Sequence, residues 1–345
     1  MDKPAQATIF GLAGHSLTDA ERDFFRAVNP WGFILFARNI DTADRLRQLT
    51  YELHELTGRD VLPILIDQEG GRVARLKPPM VRLYPAAEIY GRIYQDAPEQ
   101  AMRAAFLGSY LIGRDLRDLG ITIDCLPCLD LSRPETSDVI GDRAYGSLPQ
   151  QIAELGGAAG EGLMAAGVLP VIKHLPGHGR GSVDSHFELP VVTASPAELA
   201  EDFIPFQACR DFLLGMTGHL KFEQLDAEFV STQSPYIIQH IIRRQIGFDG
   251  LLMTDDISMQ ALSGTIAERA ERSLKAGCDI ILHCNGDMAE MVELADIAAL
   301  SGDAAKRAEA VTAQLSGLHV EKMDNALAAW QEIVAPHFPK APDAV

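Results

Sequence analysis

Eight apolar runs of strand length recur along the chain, and helical segments separate them. The runs begin at Thr8, Trp31, Val61, Ile121, Val168, Phe212, Gly250 and Asp279. Strands that alternate with helices build a parallel sheet, and eight such units close into a (β/α)₈ barrel, the TIM barrel. A doubly wound open sheet is the alternative, but no G-x-G-x-x-G motif follows the first run. The alternation therefore predicts an α/β fold with one TIM-barrel domain over residues 1–345.

Boundaries within this predicted domain follow from local signals. We expect the barrel over about residues 8–300 and C-terminal helices over about residues 301–336. Thr18 and Glu21 have the spacing of a capping box, which predicts a helix start. Ser195 and Glu198 repeat this spacing before a further predicted helix. A helix is also expected from near Pro98 to a stop before Gly120.

Charge and hydropathy exclude several classes of protein. The chain carries a formal net charge of −18, which disfavours nucleic acid and anionic membranes as its main partners. No run of 18 or more apolar residues occurs, and the first residues lack the pattern of a secretory signal. We therefore expect a cytoplasmic protein that acts on a small molecule, and the sequence implies no protein partner.

The five cysteines do not indicate a metal or redox site. Cys125 and Cys128 form a C-x-x-C pair within a predicted strand, where residues i and i+3 point to opposite faces. No second pair of cysteine or histidine ligands accompanies them. The sequence thus predicts neither a metal nor an organic cofactor.

Ionisable side chains gather where the predicted strands end. In a TIM barrel the loops after the strands meet at one face, and that face holds the active site. The residues at or after these strand ends are Asp67, Asp130, Arg143, Lys173, His174, Asp184, His186, His219, Asp255, Asp256 and Asn285. We expect Asp255 or Asp256, but not both, to face the barrel mouth, because neighbours in a strand point oppositely.

The loop after the fifth strand contains an acid–base pair. Asp184 lies two residues before His186, so in an extended segment both side chains share a face. The carboxylate can then accept the Nδ1 proton of the histidine and leave Nε2 to exchange protons with a substrate. Gly177, Gly179 and Gly181 give this loop conformational freedom. A strand-end carboxylate facing such an acid/base is the arrangement that glycoside hydrolysis needs.

Several separated motifs resemble glycoside hydrolase family 3, and most closely its short, single-domain NagZ-type β-N-acetylhexosaminidases. They are DQEGGR from Asp67, KHLPGHG from Lys173, the D-x-H at Asp184 and TDD ending at Asp256. The resemblance extends from about Thr8 to about Asn285. The segment at Arg180 departs from the small and Thr-containing residues that are usual in the family.

The resemblance implies a function and a role for each matching residue. Asp255 falls on the nucleophile, His186 on the general acid/base and Asp184 on its partner. The residues that match the sugar-binding set are Asp67, Arg75, Arg143, Lys173 and His174. The implied reaction removes terminal N-acetylglucosamine from cytoplasmic muropeptides during peptidoglycan recycling, through a covalent glycosyl-enzyme.

Other functions stay open at this point. The same barrel could transfer the sugar to phosphate, since a histidine acid/base repels an incoming phosphate less than a carboxylate does. It could also prefer glucosides or xylosides, or bind sugar without catalysis. A Schiff-base role for Lys173, as in barrel aldolases, would leave His174 and the D-x-H pair without a function.

Overall fold

The computed structural model describes residues 4–133, 138–181, 183–185 and 188–338. Eight parallel strands form a closed barrel, which confirms the predicted fold. We number them β1 to β8 in chain order: Gln6–Gly11, Pro30–Leu35, Ile64–Ile66, Ile123–Asp124, Leu169–Leu175, Leu214–Thr217, Leu251–Asp256 and Ile280–His283. Each strand pairs with its chain neighbours, and β1 closes the barrel against β8. None of the helices in the described ranges is both long and apolar enough to cross a membrane.

Helices surround the barrel. They are Asp19–Val28, Ala43–Thr57, Ala87–Asp96, Pro98–Arg117, Pro149–Ala165, Pro196–Ala208, a π-helical segment at Ile237–Ile246, Ile266–Ala276, Met288–Glu293, Gly302–Gly317 and Ala326–Val334. Both predicted capping boxes form, at Thr18 with Glu21 and at Ser195 with Glu198. Two short sheets lie outside the barrel, one antiparallel (Gln68–Gly70 with Val73–Ala74) and one parallel (Val191–Val192 with Lys221–Phe222).

Alternation along the strands divides the core into two layers. In β1, Ile9 belongs to a cluster with Leu65, Leu214 and Leu251 from other strands, whereas Phe10 packs with the surrounding helices. Successive side chains of a strand point to opposite faces of the sheet, and both faces of this barrel sheet are buried, so two apolar layers are expected. Cys125 lies in the Ile9 cluster and Cys128 lies outside it, so the C-x-x-C side chains are separated as predicted.

The helix Gly302–Gly317 covers one end of the barrel. Its Val311 belongs to the same apolar cluster as the inward-facing strand residues. Its Arg307 bonds Asp249 and Asp279, which lie just before β7 and β8. These contacts lie at the amino ends of the strands. The open end of the barrel is therefore the one where the strands finish.

Candidate active site

A cavity of about 500 Å³ lies at the carboxyl ends of the strands. Seven of the eight side chains predicted from sequence line it: Asp67, Arg75, Arg143, Lys173, His174, Asp184 and Asp255. The eighth, His186, lies outside the described residues. The separate strand ends identified in the sequence thus contribute to one site, as the barrel topology requires.

Lys173 at the end of β5 is the centre of a buried ion-pair network. Its Nζ lies 3.0 Å from Asp67 Oδ1 and 2.5 Å from Glu69 Oε1. The second oxygen of Asp67 accepts a hydrogen bond from Arg75, also at 3.0 Å. Burial alone would raise the pKa of Asp67, but Lys173 and Arg75 outweigh it and hold that pKa far below its usual value. Asp67 is therefore an ionised acceptor at the cavity wall.

Glu69 joins this network to Arg143. The guanidinium donates two parallel bonds to the carboxylate, Nε to Oε2 at 2.9 Å and Nη2 to Oε1 at 2.8 Å. Burial would raise the pKa of Glu69, but Arg143 and Lys173 bring it down to about 2. Glu69 was not among the site residues predicted from the sequence. Its position two residues after Asp67 in an extended segment was the available signal, because such residues share a face.

His174 is oriented from behind by Asp130, which is fully buried. The Nδ1 atom lies 2.6 Å from Asp130 Oδ2, while the ring lines the cavity. Burial would raise the pKa of Asp130, but the two histidines beside it, His174 first, keep that pKa well below its usual value. The ionised carboxylate assigns the Nδ1 proton to this contact. Nε2 is then the ring atom available as a hydrogen-bond partner for a ligand.

Asp255 and Asp256 both line the cavity, so the expectation that only one would do so is wrong. The pairing of β7 with β8 shifts register between Met253 and Asp256, which interrupts the alternation of side chains. Their environments nevertheless differ. The Asp256 carboxylate accepts bonds from Ser258 and from the backbone of Cys284. Asp256 thus holds the strand–loop junction together.

Two further residues near the strand ends have structural partners. His219, a candidate for the pocket wall, is a buried core histidine whose ring nitrogens contact Thr232 Oγ1 at 2.7 Å and the Asp256 carbonyl at 3.1 Å. Arg180, the departure from the family pattern, pairs with the buried Asp202 at 2.6 Å. This ion pair fixes the start of the loop to helix Pro196–Ala208.

One set of side chains in the described part of the chain has metal-ligand chemistry. Atoms of Cys128, Asp130 and His174 lie within 4.8 Å of one another. The Asp130 carboxylate already accepts bonds from the Cys128 thiol, the His174 ring and the backbone of His174 and His178. Burial is the main factor that raises the pKa of Cys128, so a thiolate ligand is disfavoured at neutral pH. We read this cluster as a hydrogen-bonded support for His174.

Because His178 is buried, we expect the stability of the protein to depend on pH. Burial lowers its pKa to about 4, although the carboxylates of Asp130 and Asp255 oppose that shift and His174 adds to it. An unfolded histidine has a pKa of about 6.5, so below this pH the unfolded chain binds the extra proton first. The free energy of unfolding should fall by about 3 kcal/mol between pH 6.5 and pH 4 from this residue alone. Urea unfolding of the wild type and of His178→Gln across this range measures it. An equal slope in both proteins would contradict the assignment.

Comparison with known proteins agrees with this geometry. The family model described as "Glycosyl hydrolase family 3 N terminal domain" matches residues 16–315. The beta-hexosaminidase of Nitrosospira multiformis is 37% identical over 296 residues, which are 84% of this chain and 83% of that protein. The beta-hexosaminidase of Thioalkalivibrio sulfidiphilus is 36% identical over 278 residues, 79% of each chain.

A solved structure extends the similarity to the whole fold. NagZ from Neisseria gonorrhoeae, in complex with N-trifluoroacetyl-D-glucosamine, has a TM-score of 0.86 and 32% sequence identity to this chain. The match covers 98% of this chain and 99% of that one. The two chains therefore share the barrel and nearly all of their length.

Proposed function

Because the chain belongs to glycosyl hydrolase family 3, we propose that it is a retaining exo-β-N-acetylglucosaminidase. The observation that carries the proposal is the convergence of Asp255 and Asp184 on one cavity with the Lys173 network. At about 500 Å³ this cavity lies within the usual range for small-molecule sites. The N-acetyl preference rests on the related beta-hexosaminidases and on the glucosamine derivative bound to the gonococcal protein.

The side chains of the cavity suit a sugar. Hydroxyl groups both donate and accept hydrogen bonds, so they pair best with alternating anionic and cationic partners. Asp67 offers carboxylate oxygens between Lys173 and Arg75, and the paired charges keep it ionised. Arg143, aligned by Glu69, and His174, aligned by Asp130, supply further polar groups at fixed positions. Such preorganised groups reduce the cost of ordering a bound ligand.

The proposed chemistry proceeds in two steps. Asp255 attacks the anomeric carbon while protonated His186 donates its proton to the leaving oxygen, and a glycosyl ester forms with inverted configuration. Neutral His186 then takes a proton from water, which attacks the anomeric carbon, displaces the Asp255 carboxylate and restores the original configuration. Asp184 lines the cavity, and we assign to it the orientation of the His186 ring. The role of His186 itself rests on the D-x-H resemblance.

We further propose that the natural substrates are cytoplasmic muropeptides with N-acetylglucosamine linked to 1,6-anhydro-muramoyl peptides. The single-domain NagZ-type resemblance supports this assignment to peptidoglycan recycling. The position of Arg72 is consistent with it, since this half-exposed cation lines the cavity and can meet the carboxylates of a peptide. Its guanidinium also bonds Asp142 and three backbone carbonyls, which fixes its direction.

An assay with two chromogenic substrates tests the proposal. We expect kcat/KM for p-nitrophenyl β-N-acetylglucosaminide to exceed that for the β-glucoside by at least about 100-fold, because polar groups of the site discriminate by unpaired hydrogen bonds. Added phosphate should change neither the rate nor the product. Faster turnover of the glucoside, or formation of N-acetylglucosamine 1-phosphate, would assign the protein to one of the alternative activities.

A further inference from the structure

His178 lies outside the cavity wall but connects two parts of the site. Its backbone N–H donates to Asp130 Oδ1 at 2.6 Å, and its Nε2 lies 3.3 Å from Ser185 Oγ. Ser185 directly follows Asp184, which lines the cavity. Both His178 and Ser185 are only 2% exposed. The histidine thus bridges a carboxylate of the barrel core and the segment that carries Asp184.

The Asp130 carboxylate holds one end of this bridge in a fixed position. It is fully buried in the segment that follows β4, and its two oxygens accept bonds from the side chain of His174 and from the backbone of both His174 and His178. A carboxylate held by several donors in a low-dielectric interior moves little. The Asp130 carboxylate therefore sets the position of the His174 ring at the cavity wall. It also sets the position of the turn at His178, where the loop after β5 begins.

Packing holds the His178 ring in one orientation. It lies against the His174 ring, with centroids 5.8 Å apart and planes at 66°. A Cβ atom built on Gly181 would meet the His178 ring at 3.0 Å, and one built on Gly218 would meet it at 3.5 Å. The glycines at these positions make room for the imidazole. A ring enclosed in this way cannot turn without displacing backbone.

The two ring nitrogens have unlike surroundings. Nδ1 is buried and has no hydrogen-bond partner among the described residues, whereas Nε2 faces Ser185. A buried acceptor without a partner is tolerated more readily than a buried N–H without one. The proton therefore belongs on Nε2, where it is donated to the serine hydroxyl. Burial lowers the pKa of His178 to about 4, so this neutral form persists at neutral pH.

We propose that His178 is a positioning residue of the glycosidase reaction, which places Ser185, and with it Asp184, at the cavity. The inference rests on the proposed function, because Asp184 matters only if it orients the acid/base. In this role His178 acts through a single ring nitrogen, Nε2, which contacts Ser185. Asp130 and His178 then couple the sugar-facing His174 to the Asp184 segment through one hydrogen-bonded chain.

The test uses three variants of the full chain. Ser185→Ala removes the acceptor and His178→Leu removes the donor, whereas His178→Gln keeps an amide N–H near the position of Nε2. For p-nitrophenyl β-N-acetylglucosaminide we expect kcat to fall about tenfold in the first two, the usual effect of one lost hydrogen bond. KM should change little, because the Lys173 network is untouched. His178→Gln should recover most of kcat, and the double variant Ser185→Ala/His178→Leu should be no slower than either single variant.

Hydrogen–deuterium exchange separates this inference from the proposed function, because it needs no substrate. The amides of Gly181 and Glu188 donate to the carbonyls of His178 and Asp184. Their exchange should accelerate about tenfold in Ser185→Ala and His178→Leu but not in His178→Gln. Unchanged exchange, or a His178→Gln variant as impaired as His178→Leu, would overturn the positioning role. Accelerated exchange in a protein that does not cleave the N-acetyl sugar would keep the positioning role and refute the proposed function instead.

Discussion

Replacing Asp255 with alanine is expected to lower kcat on the N-acetyl substrate by about 10⁴-fold, because no covalent intermediate can form. The loss should be similar for good and poor leaving groups, since both require the same attack on the anomeric carbon. Sugar binding should persist. The side chains assigned to it, centred on Lys173, are held by their own ion pairs, and the Asp255 carboxylate accepts a hydrogen bond from the adjacent backbone N–H of Asp256.

A matched control separates catalysis from charge. Asp60 is an exposed carboxylate just before β3, at the opposite end of the barrel from the cavity. Asp60→Ala makes the same substitution and should leave kcat and KM unchanged. Residual activity within tenfold of the wild type in Asp255→Ala would remove this residue from the nucleophile role. The unfolding midpoint of each variant shows that the comparison concerns folded protein.

Replacing Lys173 with methionine is expected to destabilise the protein by about 3–5 kcal/mol, the usual effect of removing one member of a buried ion pair. The side chain of Lys173 is only 2% exposed, and it contacts both Asp67 and Glu69. Without the ammonium, the pKa of both carboxyls would rise. Urea unfolding at pH 7 measures the loss. Activity should also fall below detection, because the sugar-binding wall loses its central cation.

Lys275 provides the control for this experiment. It also pairs with a carboxylate, Glu271 at 2.6 Å, but its side chain is 71% exposed on helix Ile266–Ala276. Exposed pairs contribute little to stability, so Lys275→Met should have the same unfolding midpoint as the wild type. If both methionine variants unfold at the same urea concentration, the buried network does not stabilise the fold.

Local sequence patterns were sufficient to predict the barrel. The strands are short apolar runs, and several of them carry or precede an ionisable residue at the carboxyl end, as β5 does with Lys173 and His174. The topology then brings these ends together without any further information, since the loops after parallel strands share one face. Seven predicted side chains line a single cavity for this reason.

Contacts between distant residues were harder to predict. Glu69 bonds Arg143 across 74 positions of the chain, and nothing local to either residue specifies the other. Asp130 and the backbone of His178 are 48 positions apart. His178 is buried, and the carboxylate that anchors it became visible only in three dimensions. Pairings of this kind depend on how neighbouring strands and loops are aligned.

The strand rule failed at one place. Alternation predicted that Asp255 and Asp256 would face opposite ways, yet both line the cavity. The rule assumes regular pairing, and the register of β7 against β8 shifts just before these residues. Such irregularities are frequent near active sites, where they redirect side chains. A sequence pattern carries no signal for a shift of this kind.

The most direct test of the account is to trap the covalent intermediate. A 5-fluoro derivative of N-acetylglucosaminyl fluoride combines a good leaving group with an electron-withdrawing substituent, so the ester should form faster than it is hydrolysed. Mass spectrometry of the intact chain should show one added sugar, and fragmentation of the peptide across Thr254 to Asp256 should place it on Asp255. A label on Asp256 or another residue, or hydrolysis that releases the inverted anomer without any label, would contradict the proposed mechanism.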